Sequence, residues 1–213
     1  MYFQIIEEWA AKNGIEITPA QYQMLETHQC MVLDTNKKMN LTAITDPHDF
    51  AVKHIIDSLT LLPYIPATAT TLADVGTGAG YPGLVLAIMR PDLSIVLLDS
   101  LRKRVNFLQQ VVDELGLTNV ECLHARAVEL AGAGIMFDVC TARAVASMEK
   151  LAKWVLPIVA PGGTFLAMKG PEVTKELASA EKMLTKRGGT IQKVNMMEIA
   201  RGIMHSIVVI CKE

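Results

Sequence analysis

A glycine-rich segment is the first place in the sequence where chemistry is expected, and its small residues are Gly76, Gly78 and Gly80. It follows a short apolar run that ends in an acid, Asp74, and a second apolar run begins at Gly83. This order predicts a strand, a tight turn and a helix. Glycine suits such a turn because it adopts backbone angles that a Cβ forbids and lets a ligand approach bare backbone. Ligands of open α/β sheets bind at strand ends and beside helix N-termini, so the segment indicates a nucleoside cofactor.

Two classes of cofactor compete for this segment. A dinucleotide fingerprint has the spacing G-x-G-x-x-G and an acid about 20 residues further on that holds a ribose. Here the spacing is G-x-G-x-G followed by Tyr81-Pro82, so a proline stands where the helix would present amides to a pyrophosphate. S-adenosylmethionine (SAM) has no phosphate and needs only a glycine loop close to its methionine and ribose. The spacing favours SAM, and the remaining alternative is a glycine-rich turn without a ligand.

Two later segments could hold the rest of a nucleoside. The apolar run Ser94–Leu98 predicts a central parallel strand that ends at Asp99. A carboxylate at the end of such a strand can accept hydrogen bonds from both ribose hydroxyl groups. The segment Ala127-Val128-Glu129 follows the third predicted strand, where backbone groups and an acid meet the adenine edge in nucleoside-binding folds. Both segments are therefore predicted to bind the cofactor.

Arg143 follows the fourth predicted strand, Phe137–Cys140. Arginine is seldom buried without a partner. We therefore expect Arg143 to pair with a carboxylate of the protein or the cofactor, or to contact the substrate. The other candidate residues are expected only to position the reactants. Arg143 is the one candidate for a catalytic role.

A polar cluster lies nearer the N-terminus. His54, Asp57 and Ser58 have the spacing i, i+3 and i+4, so a helix would place them on one face. Such a face can line a binding site for the substrate, with Lys53 and Asn40 close in sequence. The alternative is a solvated face near a helix end that favours cations.

Consecutive basic residues, Arg102, Lys103 and Arg104, stand at the start of the helix predicted after Asp99. Cations at this end oppose the helix dipole, so contact with a polyanion would explain them. A solvated face is the alternative. Further residues that could contact the phosphates of a nucleic acid are Lys37, Lys38, Lys53, Lys169 and Arg201.

The elements that must position these residues divide the chain in two. Residues 1–65 are predicted to form a helical cap, with one helix from Pro19 to about Lys38 and another after Asp46-Pro47. The composition changes at about Pro66–Thr71. Residues 66–213 alternate between strand and helix patterns, which predicts an α/β domain with a mostly parallel sheet.

The end of the chain distinguishes between the two cofactor folds. The pattern predicts a helix over Met148–Val159, a strand over Thr164–Met168 and a helix from Pro171 to about Lys186. Two strands, Thr190–Val194 and Ser206–Cys211, then flank a long polar turn. Strands joined by a loop alone cannot be parallel neighbours, so they form an antiparallel hairpin. This ending favours the methyltransferase sheet over the dinucleotide sheet.

The composition limits the function further. The 213 residues carry a net charge of −2, so any binding of nucleic acid must rest on local patches. The four cysteines form no C-x-x-C pair and no zinc spacing, so we expect no metal. The N-terminus has acids where a signal peptide has basic residues, and no apolar run approaches the roughly 20 residues of a membrane span. A cytoplasmic protein without membrane contact is expected.

Taken together, these residues resemble the RsmG (GidB) family of bacterial 16S ribosomal RNA methyltransferases, over nearly the whole chain. The resemblance agrees with a class I SAM-dependent, Rossmann-like fold of seven strands with an N-terminal helical extension. The motifs that carry it are Asn40-Leu41-Thr42, Lys53–Ser58, Asp74–Gly83, Leu97–Ser100, Lys103-Arg104, Arg143-Ala144 and Lys169-Gly170.

The resemblance implies methylation of N7 of one guanine, position 527 of 16S ribosomal RNA, within the small ribosomal subunit. We expect the protein to be a monomer. It implies cofactor contacts at Gly76, Tyr81, the Ala127-Val128 backbone and Arg143. This chain departs from relatives at Tyr81, where leucine or phenylalanine is frequent, and at Ala79, where proline is frequent. Met204 stands where relatives often have arginine.

Two other functions are compatible with the sequence. One is a methyltransferase of the same fold that acts on a small molecule or a protein, which RNA binding by the basic residues would distinguish. The other is a non-catalytic module that senses a nucleotide or binds the ribosome, which would never produce S-adenosylhomocysteine.

Overall fold

A seven-stranded sheet forms the centre of the structure, a computed structural model that describes residues 2–213, with side chains from residue 4 onward. The strands lie in the order β3-β2-β1-β4-β5-β7-β6. Their bounds are β1 Thr71–Val75, β2 Ser94–Asp99, β3 Val120–His124, β4 Phe137–Arg143, β5 Val159–Lys169, β6 Gly189–Ala200 and β7 Ile203–Lys212. The first five strands are parallel, and β7 is antiparallel to both of its neighbours. The predicted fold class, with its closing hairpin, is confirmed.

Helices flank the sheet and precede it. Those before β1 are α1 Tyr2–Lys12, α2 Pro19–Met39, α3 Pro47–Phe50, a π-helix Ala51–Ile56, α4 Asp57–Leu59 and a 3-10 turn Leu62–Tyr64. Those within the sheet region are α5 Gly83–Met89, α6 Arg102–Leu115, α7 Ala127–Gly132, α8 Met148–Val155, a 3-10 turn Leu156–Ile158 and α9 Val173–Lys186. Among the described residues, no helix has the length and apolar character to cross a membrane.

The long helix α2 begins and ends at residues whose side chains and backbone fit those positions. Thr18 accepts from the N–H of Gln21, and the Gln21 side chain accepts from the N–H of Thr18, which is a capping box. Asn40 ends the helix in the left-handed conformation with φ of 47°. The predicted span, from Pro19 to about Lys38, is therefore confirmed. Asn40 has this structural reason to be present as well as its predicted role toward the substrate.

Two details of the C-terminal half differ from the prediction. The helix that begins at Met148 ends at Val155 rather than Val159, because Pro157 has no N–H to continue it. The following strand starts at Val159, and an irregularity in its register accommodates the next four residues.

The prediction of a long polar turn between the last two strands is also wrong. β6 and β7 continue to a tight turn at Arg201-Gly202, where Gly202 has φ of 77°. β6 is an edge strand with mostly exposed residues, so its polar sequence reads like a loop.

The hydrophobic core continues from the N-terminal helices into the sheet region. Ile6, Leu25 and Phe50 belong to one buried cluster with Leu84 and Phe107, which lie on α5 and α6. A second cluster covers the other face of the sheet. The division of the chain into two domains after residue 65 stays a prediction. Because the core is shared, the helices before β1 pack directly against the sheet region.

Candidate active site

The glycine loop follows β1 and has the predicted strand–turn–helix form. Gly76, Gly78 and Gly80 have φ values of 72°, 63° and 98°, which favour glycine. The N–H of Gly76 donates to the carbonyl of Leu98 on β2 at 2.7 Å. A Cβ at Gly76 would lie 2.7 Å from a methyl group of Val145. The loop is thus both left-handed and packed where it passes over the end of the sheet.

Two carboxylates at the strand ends hold this loop. Asp74 is fully buried, and its Oδ2 accepts from the N–H of Gly83 at 2.8 Å. Burial raises the pKa of Asp74 to about 6. Asp99 accepts from the N–H of Gly78 at 3.1 Å and from the N–H of Leu101 at 2.9 Å. Both predicted cofactor residues therefore fix the backbone around the loop. Direct contact of either with a cofactor stays a prediction.

A cavity of about 390 Å³ lies on one side of the glycine loop. Its wall includes the predicted residues Ala127 and Val128, together with Ser100 and Trp154. Most of the side chains are apolar, which suits a flat aromatic ring. Glu129 does not line this cavity, and its carboxylate instead accepts from the N–H of Arg126 at 3.1 Å.

A second cavity, of about 520 Å³, lies on the other side of the loop. Gly76 lines both cavities, so they meet at the glycine loop. The wall of the second cavity comes from the N-terminal helices, from the ends of β4 and β5, and from β7. Its polar residues include Thr42, Lys53, His54, Asp57, Thr77, Arg104, Arg143, Lys169, Glu176 and His205. Residues of β5 and β7 meet at this cavity because Lys169 at the end of β5 pairs with Ser206 at the start of β7.

Three stacked rings lie at the second cavity, which two of them, Tyr81 and His54, line. Tyr81 lies between His28 and His54, with centroid distances of 4.6 Å and 4.7 Å and nearly parallel planes. Nε2 of His28 donates to the carbonyl of Ala79 at 2.8 Å and so holds the glycine loop from α2. Burial lowers the pKa of His28 to about 4. Among the described residues, the buried hydroxyl of Tyr81 has no hydrogen-bond partner.

Arg143 joins the end of β4 to the N-terminal helices. Nη1 donates to the carbonyl of Lys53 at 2.7 Å and to Oδ2 of Asp57 at 2.9 Å. Nη2 donates to Nδ1 of His54 at 2.9 Å. Because a guanidinium only donates, Nδ1 of His54 accepts and its Nε2 carries the proton. Burial, and then the charge of Arg143, lower the pKa of His54 to about 3, so the ring is neutral.

Asp57 is the buried anion of this network. Its Oδ2 accepts from Arg143, and its Oδ1 is paired with Nδ1 of His205 on β7. Burial alone would raise the pKa of Asp57, but the hydrogen bond to His205 and the charge of Arg143 lower it below its usual value. The carboxylate is therefore ionised and paired on both oxygens.

The GidB family, described as rRNA small subunit methyltransferase G, has a model that matches residues 21–204. The chain belongs to the GidB family. A protein of Clostridium perfringens (strain 13 / Type A) named "Ribosomal RNA small subunit methyltransferase G" is 38% identical over 216 residues, covering 99% of this chain and 90% of the relative. One of the same name from Leuconostoc mesenteroides subsp. mesenteroides is 42% identical over 212 residues, covering 97% and 89%.

A structure titled as a SAM dependent methyltransferase from Aquifex aeolicus has a TM-score of 0.54 to this chain at 17% identity, covering 76% of this chain and 92% of that chain. At this identity the likeness shows the fold alone. The family resemblance, the methyltransferase fold, the enzymatic activity and the cofactor SAM expected from the sequence are confirmed.

The apolar cavity and the glycine loop of this GidB protein fit SAM. The apolar cavity beside Ala127 and Val128 can hold the adenine ring, and the left-handed loop at Gly76 leaves room for the chain that links adenosine to sulfur. Tyr81 lines the polar cavity beside the loop, and its buried hydroxyl has no hydrogen-bond partner among the described residues. The roles of the individual residues toward SAM stay predictions.

The other predicted substrate residues of this family member have varied surroundings. Ser58 is fully buried, does not line the cavity and donates to the carbonyl of His54 at 2.6 Å, so its position gives no support to a substrate contact. Lys169 and Lys53 line the cavity but are paired with Glu176 and Asp49, respectively. The exposed residues that do not line it are Lys37, Lys38, Asn40, Arg102, Lys103 and Arg201.

Residues that the structure brings to the site and that sequence reasoning missed include His28, Thr42 and His205. The partner of His28, Ala79, is 51 residues away, and no local pattern announces such a contact. His205 meets Asp57 only because β7 inserts beside β5. Thr42 belongs to a motif that carried the family resemblance, which was the one available signal.

Proposed function

We propose that this protein transfers a methyl group from SAM to N7 of a single guanine of 16S ribosomal RNA within the small ribosomal subunit. The observation that carries the proposal is the meeting of two cavities at Gly76, one apolar and one polar. The apolar cavity suits the cofactor. The polar cavity, whose wall includes residues of the N-terminal helices, can receive a base that has left its stack.

Guanine N7 attacks through a lone pair and loses no proton, so the reaction needs no general base. The buried polar groups of the site agree with this requirement. His54 has its Nδ1 occupied by Arg143, and Asp57 is paired on both oxygens. Neither group is free to take a proton from a substrate. Catalysis therefore rests on holding the reactants in line and excluding water.

When bound, SAM supplies an electrophilic methyl group on a sulfonium. The residues that would hold it are Gly76 and the backbone of Ala127 and Val128, with Tyr81 on the wall of the polar cavity. Asp99 acts through Gly78, whose N–H it binds. Arg143 acts as a positioning residue, because its hydrogen bonds connect β4 to the N-terminal helices.

The RNA contacts are proposed for exposed basic side chains. Arg102 and Lys103 stand at the start of α6, next to the cavity residue Arg104, and Lys37 and Lys38 lie at the end of α2. With a net charge of −2, the protein has no global field that would draw it to free RNA. We therefore propose an assembled or partly assembled small subunit as the substrate, bound by a monomer that needs no metal.

The test is transfer of a labelled methyl group from SAM to small subunits isolated from a strain that lacks this protein. The labelled RNA is then mapped by chemical cleavage at N7-methylguanine. Label at one guanine of the decoding region is the expected result. If a preparation that binds SAM transfers no methyl group, the proposed substrate is wrong. Small molecules and proteins would then be tested as substrates.

A further inference from the structure

The segment that contains Thr42 is held rigidly at the edge of the polar cavity. The side-chain amide of Asn36 donates to the carbonyl of Thr42 at 2.9 Å and accepts from its N–H at 2.9 Å. This double hydrogen bond fixes the backbone of Thr42 against helix α2. The side chain of Thr42 lines the cavity on the same wall as His54.

The hydroxyl oxygen of Thr42 receives two hydrogen bonds. The N–H of Ile44 donates to it at 3.0 Å. Nε2 of His54 lies 2.9 Å away and carries the proton of the neutral ring, because Nδ1 accepts from Arg143. A hydroxyl has two lone pairs and one hydrogen, so both lone pairs of Thr42 are used. Its O–H can therefore only donate, and no acceptor for it is found in the described part of the chain.

We propose that the Thr42 hydroxyl donates a hydrogen bond to O6 of the target guanine and selects guanine over adenine. This inference rests on the proposed function. The edge of guanine that carries N7 also carries O6, an acceptor, whereas adenine has the N6 amino donor at that place. N7 must stay free for the methyl group, so O6 is the neighbouring atom that the enzyme can bind.

Thr42 discriminates between guanine and adenine because its hydroxyl can donate a hydrogen bond but cannot accept one from the base. Tyr81 also lines the cavity, but its hydroxyl is buried and has no hydrogen-bond partner in the described part of the chain, so it presents no donor of fixed direction to the base. Thr42 cannot turn to accept from an adenine amino group, because His54 and Ile44 already use its lone pairs. Arg143 thus acts on base selection through His54.

The first test is a double-mutant cycle on reconstituted small subunits, in which Thr42 and the target base are varied together. The target position carries guanine or 2-aminopurine, which keeps N7 and lacks O6, and the enzyme is wild type, Thr42→Val or Thr42→Ser. With wild type and Thr42→Ser, removal of O6 should lower kcat/KM by about 3- to 10-fold more than with Thr42→Val. Equal losses for all three enzymes would overturn the proposal, since a purely structural role gives independent effects.

A second test needs only the wild-type enzyme, in case Thr42→Val fails to fold. Subunits with 2,6-diaminopurine at the target position carry an amino donor where guanine has O6. We expect slower methylation of this base than of 2-aminopurine, although its N7 is the better nucleophile. Equal or faster methylation would show that Thr42 can accept and would overturn the proposal. Failure of wild type on unmodified guanine would instead contradict the proposed function.

Discussion

The guanidinium of Arg143 donates a hydrogen bond to Nδ1 of His54 at 2.9 Å, although the two residues are 89 positions apart. The arginine ends β4 and the histidine lies in the π-helix. Through this contact and the ion pair with Asp57, the strand end sets the position of the N-terminal helices. It also sets the tautomer of His54, and therefore the direction of the hydrogen bond to Thr42.

Substitution of Arg143 by alanine should destabilise the protein. The change removes the main positive charge beside the buried Asp57 carboxylate, and loss of one partner of a buried pair costs roughly 3 kcal/mol. Urea unfolding at pH 7 measures the effect. Lys103→Ala, at an exposed position, is the control and should change the free energy of unfolding by less than about 0.5 kcal/mol. Equal urea midpoints for the two variants would refute the role of Arg143.

Substitution of Gly76 by alanine should weaken SAM binding by about tenfold or more, because the Cβ would collide with Val145 where the two cavities meet. Gly134→Ala is the matched control, since Gly134 has the same φ of 72° but open space around it. Both variants carry the cost of a left-handed alanine, about 1 kcal/mol. Calorimetric titration with SAM distinguishes them, and equal affinities would contradict the predicted role of Gly76.

The stability of the protein should fall as the pH drops from 6.5 toward 4. His28 and His54 have pKa values lowered to about 4 and about 3, so in this window each takes up a proton only on unfolding. Asp74, with a pKa raised to about 6, releases one on unfolding and opposes this trend. The net uptake of about one proton corresponds to a slope of about 1.4 kcal/mol per pH unit. Urea unfolding across this pH range measures it, and His28→Gln should flatten the slope. An unchanged slope in that variant would show that His28 is not the group that titrates.

The rate of methyl transfer should not depend on pH between about 6.5 and 8.5. N7 needs no base, His54 has a pKa of about 3, and the pKa of Asp57 is held below its usual value. Single-turnover rates at saturating SAM measure this step. A tenfold rise per pH unit would mean that a general base takes part.

Substitution of Arg102 or Lys103 by alanine should weaken binding to small subunits and leave SAM affinity unchanged. Each lost phosphate contact should reduce the slope of log affinity against log salt by about 1. Lys186→Ala, an exposed lysine at the end of α9, is the control. If all three variants bind alike at every salt concentration, the start of α6 does not meet the RNA.

The sequence allowed most of the sheet and the glycine loop to be predicted, because these depend on local patterns. The apolar run before Asp74 and the left-handed glycines after it are features of neighbouring residues. Arg143, His54 and Asp57 were also chosen individually. Their mutual hydrogen bonds were not predictable, since they join residues 86 to 89 positions apart. The π-helix was missed because its wider turn has no distinct sequence pattern.

Strand β7 lies between β5 and β6 although it is the last strand in the sequence. During synthesis β6 leaves the ribosome first and has no partner in the sheet, because it pairs with β7 alone among the described strands. β6 can therefore join the sheet only together with β7 or after it, and the arrival of β7 brings His205 to Asp57. A nascent chain without β7 has an exposed edge at β5 and an incomplete polar cavity. The methyltransferase site is thus complete only after β7 has been synthesised and has paired with β5.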